Sequence, residues 1–122
     1  MKKIFVLLIL TLCLTACGDK GYKIITSTEA QDLLKNDAIL IDVRSAEEYS
    51  EFYIKDSINV PLDNIQELPD LIEGKETVII LYCQTGERSK EAAKELAKLG
   101  YKNLYSLDGG LINWSYGVEE GA

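Results

Sequence analysis

The chain has 122 residues, which is enough for one domain of ordinary size. With 47% hydrophobic and 27% charged residues, its composition is typical of a globular protein with a packed core. The formal net charge of −7 argues against nucleic-acid binding, because phosphate contacts need clustered Lys and Arg. The chain contains no histidine, which excludes Ser-His-Asp and Cys-His catalysis and removes the commonest nitrogen ligand of zinc. No metal or cofactor is therefore expected.

The N-terminal segment has the pattern of an export signal. Lys2 and Lys3 precede a nearly unbroken apolar run over residues 4–14. This run is too short for a membrane-spanning helix, which needs about 20 apolar residues, and it fits the centre of a secretory signal. The sequence Leu14-Thr15-Ala16-Cys17 then resembles a bacterial lipobox, which implies cleavage before Cys17 and a diacylglycerol on its sulfur. The alternatives are an uncleaved membrane anchor and an ordinary secretory peptide.

These features divide the chain into a signal peptide at residues 1–16, a lipidated Cys17 with a short tether at 17–21, and a domain at 22–122. We expect a protein exported and anchored to the bacterial cell membrane, with its domain outside the cytoplasm. Without the signal, 11 basic and 20 acidic residues remain, a net charge of −9. Cys83 is then the single free thiol, and a lone thiol on the oxidising side of a membrane is a liability unless it is used.

The domain is predicted to alternate strands and helices. Strands are expected at residues 22–25, 38–43, 58–60, 77–82 and 104–107. Helices are expected from a capping box at residues 26–29 to about 36, from a second capping box at 45–48 towards 52, irregularly over 64–72, and at 87–99, with a last helical turn at 110–114. Strands separated by helices predict a three-layer α/β/α domain with a central, mainly parallel sheet, and a monomer is the default at this size.

Cys83 and the residues after it lie between the most apolar strand and the clearest helix. A cysteine at the end of a buried strand and before a helix N-terminus faces backbone N–H groups and the positive end of the helix dipole. Both favour the thiolate without a histidine. Gly86 permits the backbone angles of a tight loop, Arg88 supplies a cation at the rim, and Ser89 can cap the helix or donate a hydrogen bond.

This loop, cysteine followed by four residues, arginine and serine, resembles the active-site loop of the rhodanese family. Further motifs occur in the family's order: Asp42-Val43-Arg44, then Glu48-Tyr49, Ile54, Ile58-Asn59-Val60-Pro61, Leu107-Asp108-Gly109-Gly110 and Trp114. The resemblance covers nearly the whole domain, from about residue 22 to 114. It implies a rhodanese-like fold and a sulfurtransferase that moves a sulfane sulfur from thiosulfate or a persulfide to a thiophilic acceptor.

In that reaction Cys83 is the nucleophile and becomes a persulfide. The donor is a small molecule or a protein persulfide, and the acceptor is cyanide or a thiol. Arg88 is predicted to guide anions, and Asp42 and Arg44 are predicted to support the fold beside the loop. The remaining substrate-binding residues, whose amides form the predicted cradle, are Gln84, Thr85, Gly86, Glu87 and Ser89.

Two departures from the family pattern bear on substrate choice. Phe52-Tyr53-Ile54 replaces the Gly-His-Ile triplet that many members have, which changes packing rather than chemistry. Glu87 is expected to place a negative charge inside the loop, which should weaken the binding of a dianion such as thiosulfate.

Three other functions compete with sulfur transfer. A phosphatase or arsenate reductase of the same fold would have Cys-x5-Arg spacing, and here the spacing is Cys-x4-Arg. A thiol-redox protein would normally have a second cysteine. A non-catalytic docking or sensing module at the membrane surface would usually have lost the cysteine.

Overall fold

The computed structural model describes residues 20–121. Within this range the chain forms seven strands: β1 (Lys23–Ile25), β2 (Ile39–Asp42), β3 (Phe52–Tyr53), β4 (Ile58–Asn59), β5 (Val78–Tyr82), β6 (Asn103–Leu107) and β7 (Glu119–Glu120). Five of them make a fully parallel sheet in the order β1-β6-β5-β2-β4. Because all five run in one direction, their carboxyl ends share one edge of the sheet, and the loops that follow them meet there.

The helices begin within two residues of the predicted positions, and the irregular helix predicted from residue 64 begins at Leu62. They are α1 (Ser27–Leu34), α2 (Ala46–Glu51), α3 (Leu68–Leu71) and α4 (Glu87–Lys98), with 3-10 helices at Leu62–Glu67 and Gly110–Asn113. Both predicted capping boxes are present, at Thr26 with Glu29 and at Ser45 with Glu48. These reciprocal bonds satisfy amide groups that a helix N-terminus leaves free, and so fix where each helix starts.

The core has two layers, one on each face of the sheet. Side chains of β5 alternate between them: Ile79 and Leu81 pack with α4 and the 62–72 segment, whereas Ile80 and Tyr82 pack with α1. The apolar face of α4, formed by Ala92, Ala93 and Leu96, is fully buried. The predicted α/β class with a mainly parallel central sheet and helices on both faces is confirmed.

A second, two-stranded sheet was missing from the prediction. The helix expected to run towards residue 52 ends at Glu51, because Phe52 is extended (φ −164°, ψ 157°) and begins β3. β3 pairs antiparallel with β7, with Phe52 opposite Glu120. β7 is two exposed glutamates, so no apolar alternation in the sequence indicated a strand there.

Candidate active site

Cys83 lies at the carboxyl end of β5, and its side chain points to the face of the sheet that α4 covers. The chain turns at Gly86, whose φ of +101° is in the left-handed region that favours glycine, and α4 begins at the next residue. This turn aims the Gly86 N–H at the Cys83 sulfur, with N to Sγ at 3.1 Å. The Ser89 hydroxyl, in the first turn of α4, lies 3.8 Å from the same sulfur. Cys83 as a whole is only 1% exposed.

The 3-10 helix at Gly110–Asn113 contacts the Cys83 loop (residues 83–89) through backbone hydrogen bonds. The amides of Leu111 and Ile112 donate to the carbonyls of Cys83 and Gln84 at 2.9 and 3.2 Å. This approach requires glycine at 110: a Cβ there would lie 2.3 Å from the Cys83 carbonyl oxygen. These two bonds tie the backbone of Cys83 and Gln84 to the 3-10 helix.

Arg88, the predicted anion guide, is paired within the protein. Its two terminal nitrogens donate to the two carboxylate oxygens of Glu48, on α2, at 2.8 and 3.1 Å. The hydrogen bond from Arg88 is the largest cause that lowers the pKa of Glu48, to about 2, and the bond to Glu48 raises that of Arg88. Both side chains are between a third and two fifths exposed. Arg88 therefore lies at the rim of the loop with its positive charge largely neutralised by the carboxylate of Glu48.

The structure corrects the placement of the Glu87 charge. Its side chain is 80% exposed and lies 3.5 Å from Lys90 Nζ, so the carboxylate points to solvent rather than into the loop. Thr85 is exposed and Gln84 is partly buried. A small cavity of about 160 Å³ adjoins the outer side of the loop and includes Thr85, Gly86 and Glu87 in its lining.

Asp42 and Arg44 form a buried pair at the end of β2. The Arg44 side chain donates to both carboxylate oxygens of Asp42, at 2.8 to 3.1 Å, and also to the carbonyl of Phe52 at 2.7 Å. Burial opposes the charge of Arg44, but the hydrogen bond and the charge of Asp42 outweigh it, so that its pKa is raised. The hydrogen bonds of both side chains go to each other and to the backbone of residues 44 and 52. The geometry agrees with the support role predicted from the sequence.

Two residues at the site were not predicted as parts of it. The sequence assigns Glu48 to a capping box and to the family's motif order, and the structure shows that it also pairs with Arg88, 40 positions away in sequence. Ser106, on β6, lies with its hydroxyl 2.7 Å from that of Ser89. The sequence offers one indication of this position. Ser106 lies within a short apolar strand, where the alternation of buried and exposed side chains assigns it to the interior.

The remaining part of the described chain has a groove that lies away from the Cys83 thiol. This groove of about 720 Å³ lies between α1, the start of β2 and the C-terminal segment, and its lining includes no residue of the Cys83 loop. Among residues 20–121, no three His, Cys, Asp or Glu side chains are grouped as a metal site. No helix in that range has the length and apolar character needed to cross a bilayer. Cys17 and the predicted signal lie outside the described residues.

A parallel α/β sheet with a buried thiol at its carboxyl end, beside the N-terminus of a helix, places a cysteine where ligands bind in such sheets and where the thiolate is favoured. The match to a family is specific: residues 26–116 fit the rhodanese-like domain, and the chain belongs to that family.

Relatives and solved structures agree with this assignment. The chain is 34% identical over 94 residues to the thiosulfate sulfurtransferase GlpE of Coxiella burnetii, covering 76% of this chain and 87% of that protein. It is 34% identical over 107 residues to the adenylyltransferase and sulfurtransferase uba4 of Ogataea parapolymorpha, covering 84% of this chain but only 28% of that longer protein. A rhodanese-like domain protein from Staphylococcus aureus, 27% identical, superposes with a TM-score of 0.68 over 82% of this chain and 99% of its own.

Proposed function

We propose that this protein is a sulfurtransferase that carries a sulfane sulfur on Cys83. The observation that supports this most directly is the 3.1 Å hydrogen bond from the Gly86 amide to Sγ at the junction of β5 and α4. An amide donor and the N-terminal end of a helix stabilise negative charge on sulfur, both in the thiolate and in the persulfide. Sulfurtransferases among the relatives, including GlpE of Coxiella burnetii, support the same reaction class.

The reaction has two balanced steps. The Cys83 thiolate attacks the outer sulfur of a donor, forming an S–S bond while the donor's own bond to that sulfur breaks. With thiosulfate the leaving group is sulfite, and with a persulfide R–S–SH it is the thiolate R–S⁻, which takes up the proton of the outer sulfur to give R–SH. The terminal sulfur of the Cys83 persulfide is then transferred to cyanide, giving thiocyanate, or to a thiolate, giving a new persulfide. Either transfer returns the thiolate of Cys83.

We further propose that the better donor is a persulfide rather than thiosulfate. Thiosulfate is a dianion and needs a free cation near the sulfur. Arg88, the cation within the loop, is bonded through both terminal nitrogens to Glu48, and Lys90 lies beside Glu87. A donor of low net charge, such as cysteine persulfide, does not depend on that missing charge.

The burial of Cys83 favours one alternative, a non-catalytic rhodanese-like module that docks or senses. At 1% exposure, Cys83 packs in the larger apolar cluster together with Leu81 and Ala92. A cysteine used only for packing would look similar in this respect, since free cysteine behaves as a small hydrophobic residue. The hydrogen bond from Gly86 and the glycine-dependent contact at Gly110 favour the catalytic function over this alternative.

Intact mass spectrometry tests the proposed function. The full chain, purified in detergent, is treated with thiosulfate, cysteine persulfide or glutathione persulfide, and Cys83→Ala is treated in parallel. The expected result is a gain of one sulfur atom on the parent protein that cyanide removes and that Cys83→Ala lacks. No gain with any of the three donors would refute sulfur transfer and leave the docking or sensing module.

We also propose export, lipidation of Cys17 and a domain outside the cytoplasm, on the basis of the lipobox-like sequence. The position of β1 in the sheet bears on how such an anchor would orient the domain. Residues 20–22 lead into β1 at the amino end of the parallel sheet; by the sheet register Lys23 lies level with Ile80, three residues before Cys83, so the start of β1 lies about 10 Å from Cys83 along the strand direction. An anchor at Cys17 would therefore leave the catalytic loop facing away from the bilayer and accessible to donors in the aqueous phase.

Metabolic labelling of the bacterial host with radioactive palmitate tests the anchor. Incorporation by the parent chain and by Cys13→Ala, but not by Cys17→Ala, is the expected pattern. Equal labelling of Cys17→Ala, or none in any of the three proteins, would refute lipidation at Cys17.

A further inference from the structure

Two buried hydroxyl groups lie in series behind the Cys83 sulfur. Ser89 is 0% exposed, and its Oγ lies 3.8 Å from Sγ, 3.1 Å from the Gly86 carbonyl oxygen and 2.7 Å from the Oγ of Ser106. Ser106 is 1% exposed, and the hydrogen bond recorded for its side chain is the one to Ser89. The arrangement is a relay that runs from β6 through the first turn of α4 to the sulfur.

The number of hydroxyl and thiol protons in this relay limits which of its hydrogen bonds can exist at the same time. Ser89 has one hydroxyl proton and three neighbours that can accept it: the Gly86 carbonyl, Ser106 and the sulfur. When Cys83 is a neutral thiol, its S–H donates to Ser89 Oγ and the Ser89 proton can be directed to the Gly86 carbonyl. When the sulfur is an anion, it has no proton to donate, and the Ser89 hydroxyl is best oriented to donate a hydrogen bond to the sulfur. Ser89 Oγ is then free to accept from Ser106.

We propose that Ser106 is a positioning residue for sulfur transfer, whose hydroxyl donates to Ser89 and so directs the Ser89 proton to the anionic sulfur of Cys83. A hydroxyl that accepts a hydrogen bond becomes a stronger donor, so the contact between Ser106 and Ser89 strengthens the contact between Ser89 and sulfur. The thiolate and the terminal persulfide anion are both stabilised in this way. The inference deepens the proposed function and, for the persulfide, rests on it.

The test is a double-mutant cycle on Ser89→Ala, Ser106→Ala and the combined variant in the full chain. The first readout is the pH profile of alkylation by iodoacetamide, which reports on the thiolate without any sulfur donor. For Ser106→Ala, we expect the midpoint of this profile to rise by about half a pH unit or more, and alkylation below the midpoint to slow about three- to tenfold. The second readout is the half-life of the persulfide, which should shorten in the same variant.

Ser57→Ala is the matched control. Ser57 is also a buried serine, and its hydroxyl bonds at 3.1 Å to another hydroxyl, that of Tyr82, on the opposite face of the sheet from the Cys83 side chain. Its removal should cost similar folding stability and leave the alkylation profile unchanged. A shift of equal size in Ser57→Ala and Ser106→Ala would assign the effect to general loosening and overturn the proposal.

The cycle also tests the route. If Ser106 acts through Ser89, then Ser106→Ala has no further effect in a Ser89→Ala background. An unchanged midpoint in Ser106→Ala, or an effect that persists undiminished without Ser89, would overturn the inference. Alkylation requires no sulfur transfer. If the alkylation profiles of the four proteins showed the expected coupling between Ser106 and Ser89 but no persulfide formed, the proposed function would be refuted and the relay would stand.

Discussion

Releasing Arg88 from its partner should make thiosulfate a better donor. The change is Glu48→Gln, which removes the carboxylate that neutralises Arg88 while keeping a side-chain oxygen to accept from the backbone N–H of Ser45 in the capping box of α2. Little stability should be lost, because a pair this exposed contributes about 0–1 kcal/mol. The rim gains one unit of free positive charge.

The size of the gain follows from Coulomb's law. For a dianion at an assumed separation of about 7 Å from the freed charge, the attraction is about 1.2 kcal/mol in water, and salt at physiological strength reduces it to about 0.5 kcal/mol. This corresponds to an increase of about two- to eightfold in kcat/KM for thiosulfate, measured by thiocyanate formation in the presence of cyanide. The gain should appear mainly in KM.

The matched control for this prediction is Glu47→Gln. Glu47 is an exposed neighbour on α2, so the same charge is removed, but the bond between Arg88 and Glu48 remains. If Glu47→Gln raised thiosulfate use as much as Glu48→Gln did, net charge alone would be responsible. If Glu48→Gln left kcat/KM unchanged or lowered it, the reasoning that the paired arginine limits thiosulfate binding would be wrong.

Three further outcomes are expected. Asp42→Asn should destabilise the domain by about 3–5 kcal/mol in urea unfolding because it leaves Arg44 buried and uncompensated, whereas the exposed Asp63→Asn should change stability by less than about 0.5 kcal/mol. Gly110→Ala should prevent sulfur loading in the mass assay, since its Cβ would collide with the Cys83 carbonyl; loading at the parent's rate would contradict that role for the contact. Carbon NMR of the Glu48 carboxyl should give a pKa of about 2, and a higher pKa in Arg88→Gln that stays below 4.5 because the hydrogen bonds from Ser45 remain; because folding lowers this pKa, the pair's stabilisation is complete above pH 4.5 and is lost as the pH falls through 2.

The elements that the sequence predicted well are those with strong local signals. The apolar run of β5, the amphipathic pattern of α4 and the glycine between them placed Cys83 at the strand–helix junction, where the structure has it. The capping boxes fixed the starts of α1 and α2 because their bonds span only three residues. The irregular helix predicted over residues 64–72 is a 3-10 helix followed by α3, with Pro69 in the first turn, where its missing N–H has no cost.

The features that the sequence did not predict depend on contacts between distant segments. Glu48 and Arg88 meet only because β2 and β5 are neighbours in the sheet, which brings the loops after them together. The second sheet depends on pairing between β3 and the last residues of the chain, which local propensity does not indicate. The side chain of Glu87 was misplaced because its position in the sequence motif did not reveal that the first residue of α4 points to solvent.

A site with its arginine already paired stabilises sulfur mainly through neutral donors. The Gly86 amide and the helix N-terminus are fixed dipoles at short range, and dissolved ions screen them far less than they screen an exposed charge. Sulfur loading from cysteine persulfide should therefore change little between low and high salt. In Glu48→Gln, the additional activity with thiosulfate comes from a free cation at the rim, so that increment should fall as salt rises. Parallel salt series on the two donors separate these sources, and a steep salt dependence of the parent with cysteine persulfide would mean that an exposed charge, rather than the loop's own dipoles, controls the sulfur.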